Sequence, residues 1–379
     1  MATAQLHFSR KELAERRQCA LTALAETGCD GLLTFRQESM YYLSGYDTFG
    51  YVFFQCLYLH NDGRMALLTR APDLRQAQLT SVITDIRIWE DASDANPADT
   101  LRDIVREYAP DAKTLAVEWD AYGLTAQNGR RLAAAFADCE LRDASSLVSR
   151  LRVVKSEAEI AHVRRAAALA DDALAAAQEL ARPNAYEGDI LAAMQAAVFK
   201  GGGEYSGNEF IIGSGERALL CRSYAGRRRL SENDQLTLEF AGAYCHYHAA
   251  LMRTLVIGKP RPQHEKMRAV CHEAATAAKT ALCPGQPIGE VFDAYASVAD
   301  KNGMKKHRLN ATGYSMGATF APNWMDWPMF YHGNSVIAVP NMIFFLHIIL
   351  MDSETETAMT TGETLLVTAH GCERLSKAP

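Results

Sequence analysis

A predicted β-hairpin in the middle of the 379-residue chain carries a carboxylate and an imidazole on its two strands. Residues 236–257 predict the hairpin, with Glu239 on the first strand and His248 and Met252 on the second. Side chains alternate between the two faces of a strand, so His248 and Met252 share a face. A carboxylate beside an imidazole is suited to bind an amidinium group and to move protons. Glu239 and His248 are therefore candidates for acid–base chemistry.

Polar and aromatic side chains outside the hairpin are further candidates. Arg222 precedes it, and a guanidinium binds a carboxylate through two parallel hydrogen bonds. Trp324 and Asp326 are suited to form a wall against a small cation or zwitterion. Tyr314 lies in a glycine-rich run, and His347 interrupts an apolar run, where a polar group costs free energy unless it is hydrogen-bonded.

The hairpin resembles a signature of the creatinase/prolidase/methionine-aminopeptidase family. That signature contains Asp-x-Gly, then Gly-Tyr, then Asp-x-Thr-Arg-Thr at fixed spacing. Tyr247, Arg253 and Thr254 of this chain fall in register with it. Glu239 stands at the position of the first Asp, and Ala250 stands at the position of the second. The resemblance covers the whole chain and implies a metallopeptidase fold with altered chemistry.

The positions that hold metal in this family are changed here. Metal-binding members hold two divalent ions with two Asp, one His and two Glu. The matching residues of this chain are Glu239, Ala250, Tyr314, His347 and Gly362. A dinuclear site for hard cations needs several carboxylates, and one remains. The resemblance therefore implies no metal and no cofactor, while ligand type alone leaves open a single zinc at Glu239, His347 and His248.

The resemblance also implies a shared pocket, because ligand positions of the family point into its cavity. On this basis we expect Glu239 and His248 to converge as catalytic residues. Glu239 would attack or polarise an amidine carbon, and His248 would act as acid and base. The predicted substrate-binding residues are Tyr314, His347, Arg222, Trp324, Asp326 and Met252.

The function implied by these replacements is metal-independent cleavage of a C–N bond in a small cyclic amidine. The metal-free branch of the family includes creatinase and ectoine hydrolase. Creatinase-like chains keep a His and a Glu where this chain has Tyr314 and Met252, so the ectoine hydrolase side is favoured, with ectoine or 5-hydroxyectoine opened to an N-acetylated diaminobutyrate. Three alternatives remain: an amidinohydrolase acting on a guanidino compound, a metallopeptidase with an atypical ion, and a non-catalytic binding protein.

Composition and charge restrict the partners. The net charge of −6 gives no reason to expect nucleic acid or an anionic membrane. No apolar run approaches the roughly 20 residues of a membrane helix. Nine scattered cysteines without a Cys-x-x-Cys pair are typical of reduced thiols in a cytoplasmic protein. We expect a small zwitterionic or cationic substrate and, from the family resemblance, a homodimer.

The pattern of elements predicts two domains of mixed α/β (α+β) class. Residues 1–150 alternate short apolar runs with helical stretches and predict a small N-terminal α/β domain. Ser156 and Glu159 form a capping-box pattern that begins a long alanine-rich helix. The family resemblance implies that residues 151–379 form a C-terminal pita-bread catalytic domain.

Overall fold

The computed structural model describes residues 4–224 and 226–378. The chain divides into two compact units, Met1–Arg152 and Val153–Pro379. Each unit contains helices and a β-sheet, which confirms the predicted mixed α/β class. Among the described residues, no helix is both long enough and apolar enough to cross a membrane.

The first unit contains a six-stranded sheet in the order β4-β3-β2-β1-β5-β6. Its helices are α1 (Arg10–Thr27), α2 (Gln37–Ser44), α3 (Leu74–Thr80), α4 (Pro97–Tyr108), α5 (Ala126–Ala135) and α6 (Leu147–Arg152). Its strands are β1 (Gly31–Thr34), β2 (Cys56–His60), β3 (Met65–Arg70), β4 (Asp85–Trp89), β5 (Thr114–Val117) and β6 (Glu140–Asp143). Apolar side chains fill both sides of the sheet, because helices cover both faces.

The second unit is built on an antiparallel sheet in the order β11-β10-β12-β13-β9-β8-β7, with β14 paired to β13. Its helices are α7 (Glu157–Leu180), α8 (Glu187–Lys200), α9 (Pro262–Ala281) and α10 (Gly289–Lys301). Its strands are β7 (Ile211–Ser214), β8 (Asp234–Tyr244), β9 (Tyr247–Ile257), β10 (Gly313–Ser315), β11 (Asp326–Met329), β12 (Ile343–Asp352), β13 (Thr357–Thr368) and β14 (Gly371–Arg374). The predicted capping box is present, since the Ser156 hydroxyl accepts from the Glu159 N–H and the Glu159 carboxylate accepts from the Ser156 N–H.

One face of this sheet is packed against the four helices. In β8, Leu236, Leu238 and Phe240 join the apolar core formed with α7 and α8. In β12, the even-numbered residues Phe344 to Leu350 join the core formed with α9 and α10. Because side chains alternate along a strand, odd-numbered residues of β8 and β12 lie on the opposite face. We call that opposite face the inner face.

Candidate active site

The register of the strands places the substituted family positions on the inner face. Glu239 of β8 pairs with Met252 of β9, Met252 pairs with Gly362 of β13, and Gly362 pairs with His347 of β12. We call these four residues the central row. Directly paired residues in neighbouring strands point to the same side of a sheet, so the row forms one continuous strip.

Two hydrogen bonds in series connect three side chains and end at Glu239 of the central row. The Trp324 indole N–H donates to the phenol oxygen of Tyr314 at 2.7 Å. The Tyr314 hydroxyl in turn donates to Oε1 of Glu239 at 3.4 Å. Burial, and next the negative charge of Glu239, raise the pKa of Tyr314 well above its ordinary value, so this phenol stays protonated.

Glu239 is a buried carboxyl group whose pKa lies close to neutrality. Its side chain is only 9% exposed, and burial raises its pKa to about 7. The positive charge of Arg222 and the hydrogen bond from Tyr314 both act in the opposite direction. A carboxyl group with a pKa near 7 can both accept and return a proton at neutral pH, as acid–base catalysis requires.

Arg222 lines a surface cavity, and its positive charge acts on Glu239. The exposed Arg222 and the partly buried Cys221 both line this cavity of about 610 Å³. Burial and then the charge of Glu239 raise the pKa of the Cys221 thiol, which links the cavity wall electrostatically to the carboxylate. A guanidinium at a cavity wall is suited to bind a carboxylate through two parallel hydrogen bonds. A different polar cavity, of about 510 Å³, is lined by residues outside the central row.

His347 is a buried imidazole that lacks a hydrogen-bond partner for Nδ1 among the described residues. Its ring lies 5.8 Å from the ring of Tyr314 and 5.4 Å from that of Phe345, centre to centre. Burial lowers its pKa to about 4, so the ring is neutral at physiological pH. A buried polar atom without a partner costs about 1–3 kcal/mol, which a ligand hydrogen bond recovers.

The structure does not bring His248 to Glu239. His248 pairs with Ala243, whereas Glu239 pairs with Met252, four residues further along β9 and roughly 14 Å away. The Gly207 N–H donates to Nε2 of His248 at 2.8 Å, so the ring proton is on Nδ1, 3.1 Å from Oγ1 of Thr319. The expected convergence of Glu239 and His248 is therefore wrong, because His248 faces the same side as Met252, the partner of Glu239, but lies four residues from it along β9.

The His248 ring is instead built into the surrounding structure. Burial, followed by the nearby His246, lowers the pKa of His248 to about 4. Both ring nitrogens already have partners, so the neutral ring connects β9 to two loop segments through hydrogen bonds. The open alternative of a zinc ion held by Glu239, His347 and His248 fails for the same reason of distance.

Trp324 and Asp326 differ from the expected wall against a substrate cation. Trp324 has no exposed surface, and its indole N–H donates to Tyr314, so it contacts a site residue and not a substrate. Asp326 pairs with Ser315 at the start of β11, and its carboxylate accepts the Trp327 N–H at 2.9 Å. An accessible wall made by Trp324 is therefore wrong, and a substrate contact by Asp326 stays a prediction.

The space around the former ligand positions is filled by other side chains. A Cβ atom at Gly362 would lie 2.7 Å from two ring atoms of Phe345 and 2.9 Å from Cβ of Met252. Beside Ala250, the Thr364 hydroxyl accepts from the Ala250 N–H and donates to its carbonyl. Within residues 4–224 and 226–378, no group of three His, Cys, Asp or Glu side chains is arranged to hold an ion. The donor set does not fit the two-metal centre of the family.

Phe345 and Thr364 were not predicted as site residues. Phe345 lies two residues before His347 in β12 and therefore shares the inner face, a signal that strand parity already contains. Thr364 carries no comparable signal, because only the pairing of β13 with β9 brings its hydroxyl to the backbone of Ala250.

Sequence comparison defines the class of protein. The metallopeptidase family M24 matches residues 161–369, and the creatinase/prolidase N-terminal domain matches residues 16–154. The chain belongs to the M24 metallopeptidase family. It is 24% identical to ectoine hydrolase of Halomonas elongata over 100% of this chain and 98% of that protein. It is 28% identical to an uncharacterised hydrolase/peptidase of Sinorhizobium fredii, covering 99% and 97% of the two chains.

Solved structures share the fold. A prolidase from Thermococcus sibiricus matches with a TM-score of 0.87 at 18% identity, covering 98% of each chain. A Xaa-Pro dipeptidase from Bacillus anthracis matches with a TM-score of 0.83 at 21% identity, covering 97% of this chain and 98% of the other. The predicted small N-terminal domain followed by a pita-bread domain is confirmed. Together with the family assignment, the relatives support a hydrolase.

Proposed function

We propose that this protein is a metal-independent hydrolase that opens the ring of a small cyclic amidine bearing a carboxylate, with ectoine or 5-hydroxyectoine as the preferred substrate. The observation that carries the proposal is the Glu239 carboxyl group, which is buried, has a pKa of about 7 and is contacted by Tyr314 through one oxygen. The full-length similarity to an ectoine hydrolase supports the choice of substrate.

The chemistry assigned to Glu239 is proton transfer during addition of water. The ionised carboxylate offsets the positive charge of the amidinium and accepts a proton from the attacking water. The water oxygen bonds to the amidine carbon, and the proton then passes from Glu239 to the ring nitrogen as the C–N bond breaks. The hydroxyl proton of the addition product passes to the departing nitrogen, so the product is an open-chain amide with an ammonium group, and Glu239 returns to the ionised carboxylate.

Other residues orient the substrate in this scheme. Arg222 binds the substrate carboxylate at the cavity mouth. His347 donates or accepts one hydrogen bond through its unpartnered Nδ1. Met252 provides an apolar surface beside Glu239, with which it pairs on the neighbouring strand. This division explains why the site keeps polar side chains at positions that no longer form a metal centre.

The proposal is tested by proton NMR of the protein treated with EDTA and mixed with ectoine. Ring signals should disappear as those of an acetylated diaminobutyrate appear, and Glu239→Gln should abolish the change. A parallel sample receives Mn²⁺ and a Xaa-Pro dipeptide. Dipeptide cleavage that requires Mn²⁺, with ectoine untouched by folded protein, would replace our proposal by a peptidase function.

The homodimer and the cytoplasmic location predicted from sequence remain proposals. Light scattering at assay concentration tests the first, and a mass equal to one chain contradicts it.

A further inference from the structure

We propose, resting on the role given to Glu239 above, that Trp324 is a positioning residue that acts on Glu239 through Tyr314. Trp324 belongs to the segment before β11, and its indole has no exposed surface with which to meet a substrate. Its N–H nevertheless reaches Tyr314, whose hydroxyl reaches Glu239. The influence of Trp324 on the reaction therefore passes through another side chain.

The directions of the two hydrogen bonds follow from chemistry. An indole N–H can only donate, so the oxygen of Tyr314 accepts from Trp324. The phenol proton is then directed to Oε1 of Glu239. An oxygen that accepts one hydrogen bond donates more strongly in the next, so Trp324 strengthens the contact between Tyr314 and Glu239.

This contact is the point at which the carboxyl group is oriented. The separation of 3.4 Å is longer than an ordinary O–H···O hydrogen bond. This contact alone therefore orients the Tyr314 hydroxyl weakly, and a second hydrogen bond is needed to hold it. Trp324 provides that second hydrogen bond at 2.7 Å. With Oε1 held, Oε2 of Glu239 is the oxygen that meets water or substrate. The charge of Arg222 also acts on Glu239, and the Cys221 thiol responds to the charge of Glu239.

A spectroscopic test of the hydrogen bonds that connect Trp324, Tyr314 and Glu239 needs no substrate. The protein contains four tryptophans, so a ¹⁵N-labelled sample gives four indole N–H signals that Trp-to-Phe variants assign. We expect the Trp324 signal to move in Tyr314→Phe and also in Glu239→Gln, although the indole N–H donates to Tyr314 and not to Glu239. The Trp89 indole donates to the Phe54 carbonyl in the first unit, so its signal serves as an internal control.

A kinetic test measures coupling to the reaction. Trp324→Phe should lower kcat about tenfold and leave KM within about twofold, since it alters orientation and not substrate contact. On the Tyr314→Phe background the same substitution should change kcat by less than about twofold, because the connecting hydroxyl is already gone. Trp327→Phe, at an exposed tryptophan three residues later, is the matched control.

The two tests separate failure of this inference from failure of the proposed function. If Trp324→Phe does not fold, Tyr314→Phe and Glu239→Gln still report on the wild-type indole. A Trp324 signal that is unmoved in both variants, or equal kinetic losses with and without the Tyr314 hydroxyl, overturns the positioning role. Absence of ring opening by the wild-type protein contradicts the proposed function. The indole signals still show whether hydrogen bonds connect Trp324 to Glu239 through Tyr314.

Discussion

The phenol oxygen of Tyr314 lies 3.4 Å from Oε1 of Glu239, although the two residues belong to strands β10 and β8. Strands β12, β13 and β9 separate them, and four strand spacings correspond to about 19 Å along a sheet. The side chains meet because the sheet curls toward its inner face. The curl encloses the central row and removes Glu239 from water, which is the main cause of its raised pKa.

Replacement of Glu239 by Gln should make stability less dependent on pH. The carboxyl group holds its proton more tightly in the folded state, with a pKa of about 7, than in the unfolded chain, with a pKa of about 4.3. The native protein therefore loses stability as pH rises through this interval. At pH 8 Glu239→Gln should be more stable by about 1–3 kcal/mol, and near pH 4 the gain should vanish. Urea unfolding at several pH values measures this, and a constant difference would contradict the raised pKa.

Replacement of Arg222 by Ala should weaken binding of a carboxylate-bearing substrate. We expect KM to rise at least about tenfold, with partial recovery in Arg222→Lys, because lysine cannot form two parallel hydrogen bonds. Arg227→Ala, in the same loop and also exposed, is the control and should change KM by less than about twofold. Steady-state kinetics with a substrate analogue that lacks the carboxylate completes the test, since an equal loss there would exclude direct carboxylate binding.

Adding a side chain at Gly362 should destabilise the fold. Its Cβ would contact the Phe345 ring at 2.7 Å, so Gly362→Ala should cost about 1–3 kcal/mol in unfolding free energy. The cost should shrink on a Phe345→Ala background, where the ring is absent.

Titration calorimetry with Mn²⁺ should detect no binding to Gly362→Glu, because one restored carboxylate does not rebuild the site. Tight Mn²⁺ binding by that variant would show that the metal centre is nearly intact.

Replacement of His248 by Ala tests whether this residue is structural. Loss of the ring leaves the buried Gly207 N–H without its acceptor, so we expect a loss of about 2–4 kcal/mol in stability. At a temperature where the variant stays folded, kcat/KM should remain within about threefold of wild type. Circular dichroism confirms the folded state during the assay. A fall of a hundredfold or more in folded protein would return His248 to the catalytic residues.

Treatment with a chelator should leave turnover unchanged. The five family positions retain a single carboxylate, at Glu239, and Phe345 occupies the space beside Gly362. Activity with ectoine should be equal before and after EDTA and dialysis. A large loss that one divalent ion restores would show that a metal takes part.

Local sequence signals predicted most elements because they depend on neighbours along the chain. Among the short apolar runs and helical stretches of residues 1–150, Gly31–Thr34 forms a strand and Pro97–Tyr108 forms a helix. Apolar periodicity and the Ser156–Glu159 capping box act over a few residues, so they can be read without tertiary contacts. The short strands β10 and β11 had no such signal, because their pairing depends on distant parts of the chain.

The family, most of the elements and the side chains that replace the metal ligands can be read from the amino-acid sequence. Which of these side chains meet depends on the tertiary structure. The family resemblance implied one pocket for Glu239 and His248, but the register of β8 and β9 sets them four residues apart. Glu239 meets Tyr314 because the sheet curls, and Trp324, whose side chain is buried, donates its indole N–H to Tyr314 from the segment before β11. Register, curl and burial arise from contacts between residues far apart in sequence, and these contacts position the catalytic carboxyl group that we propose.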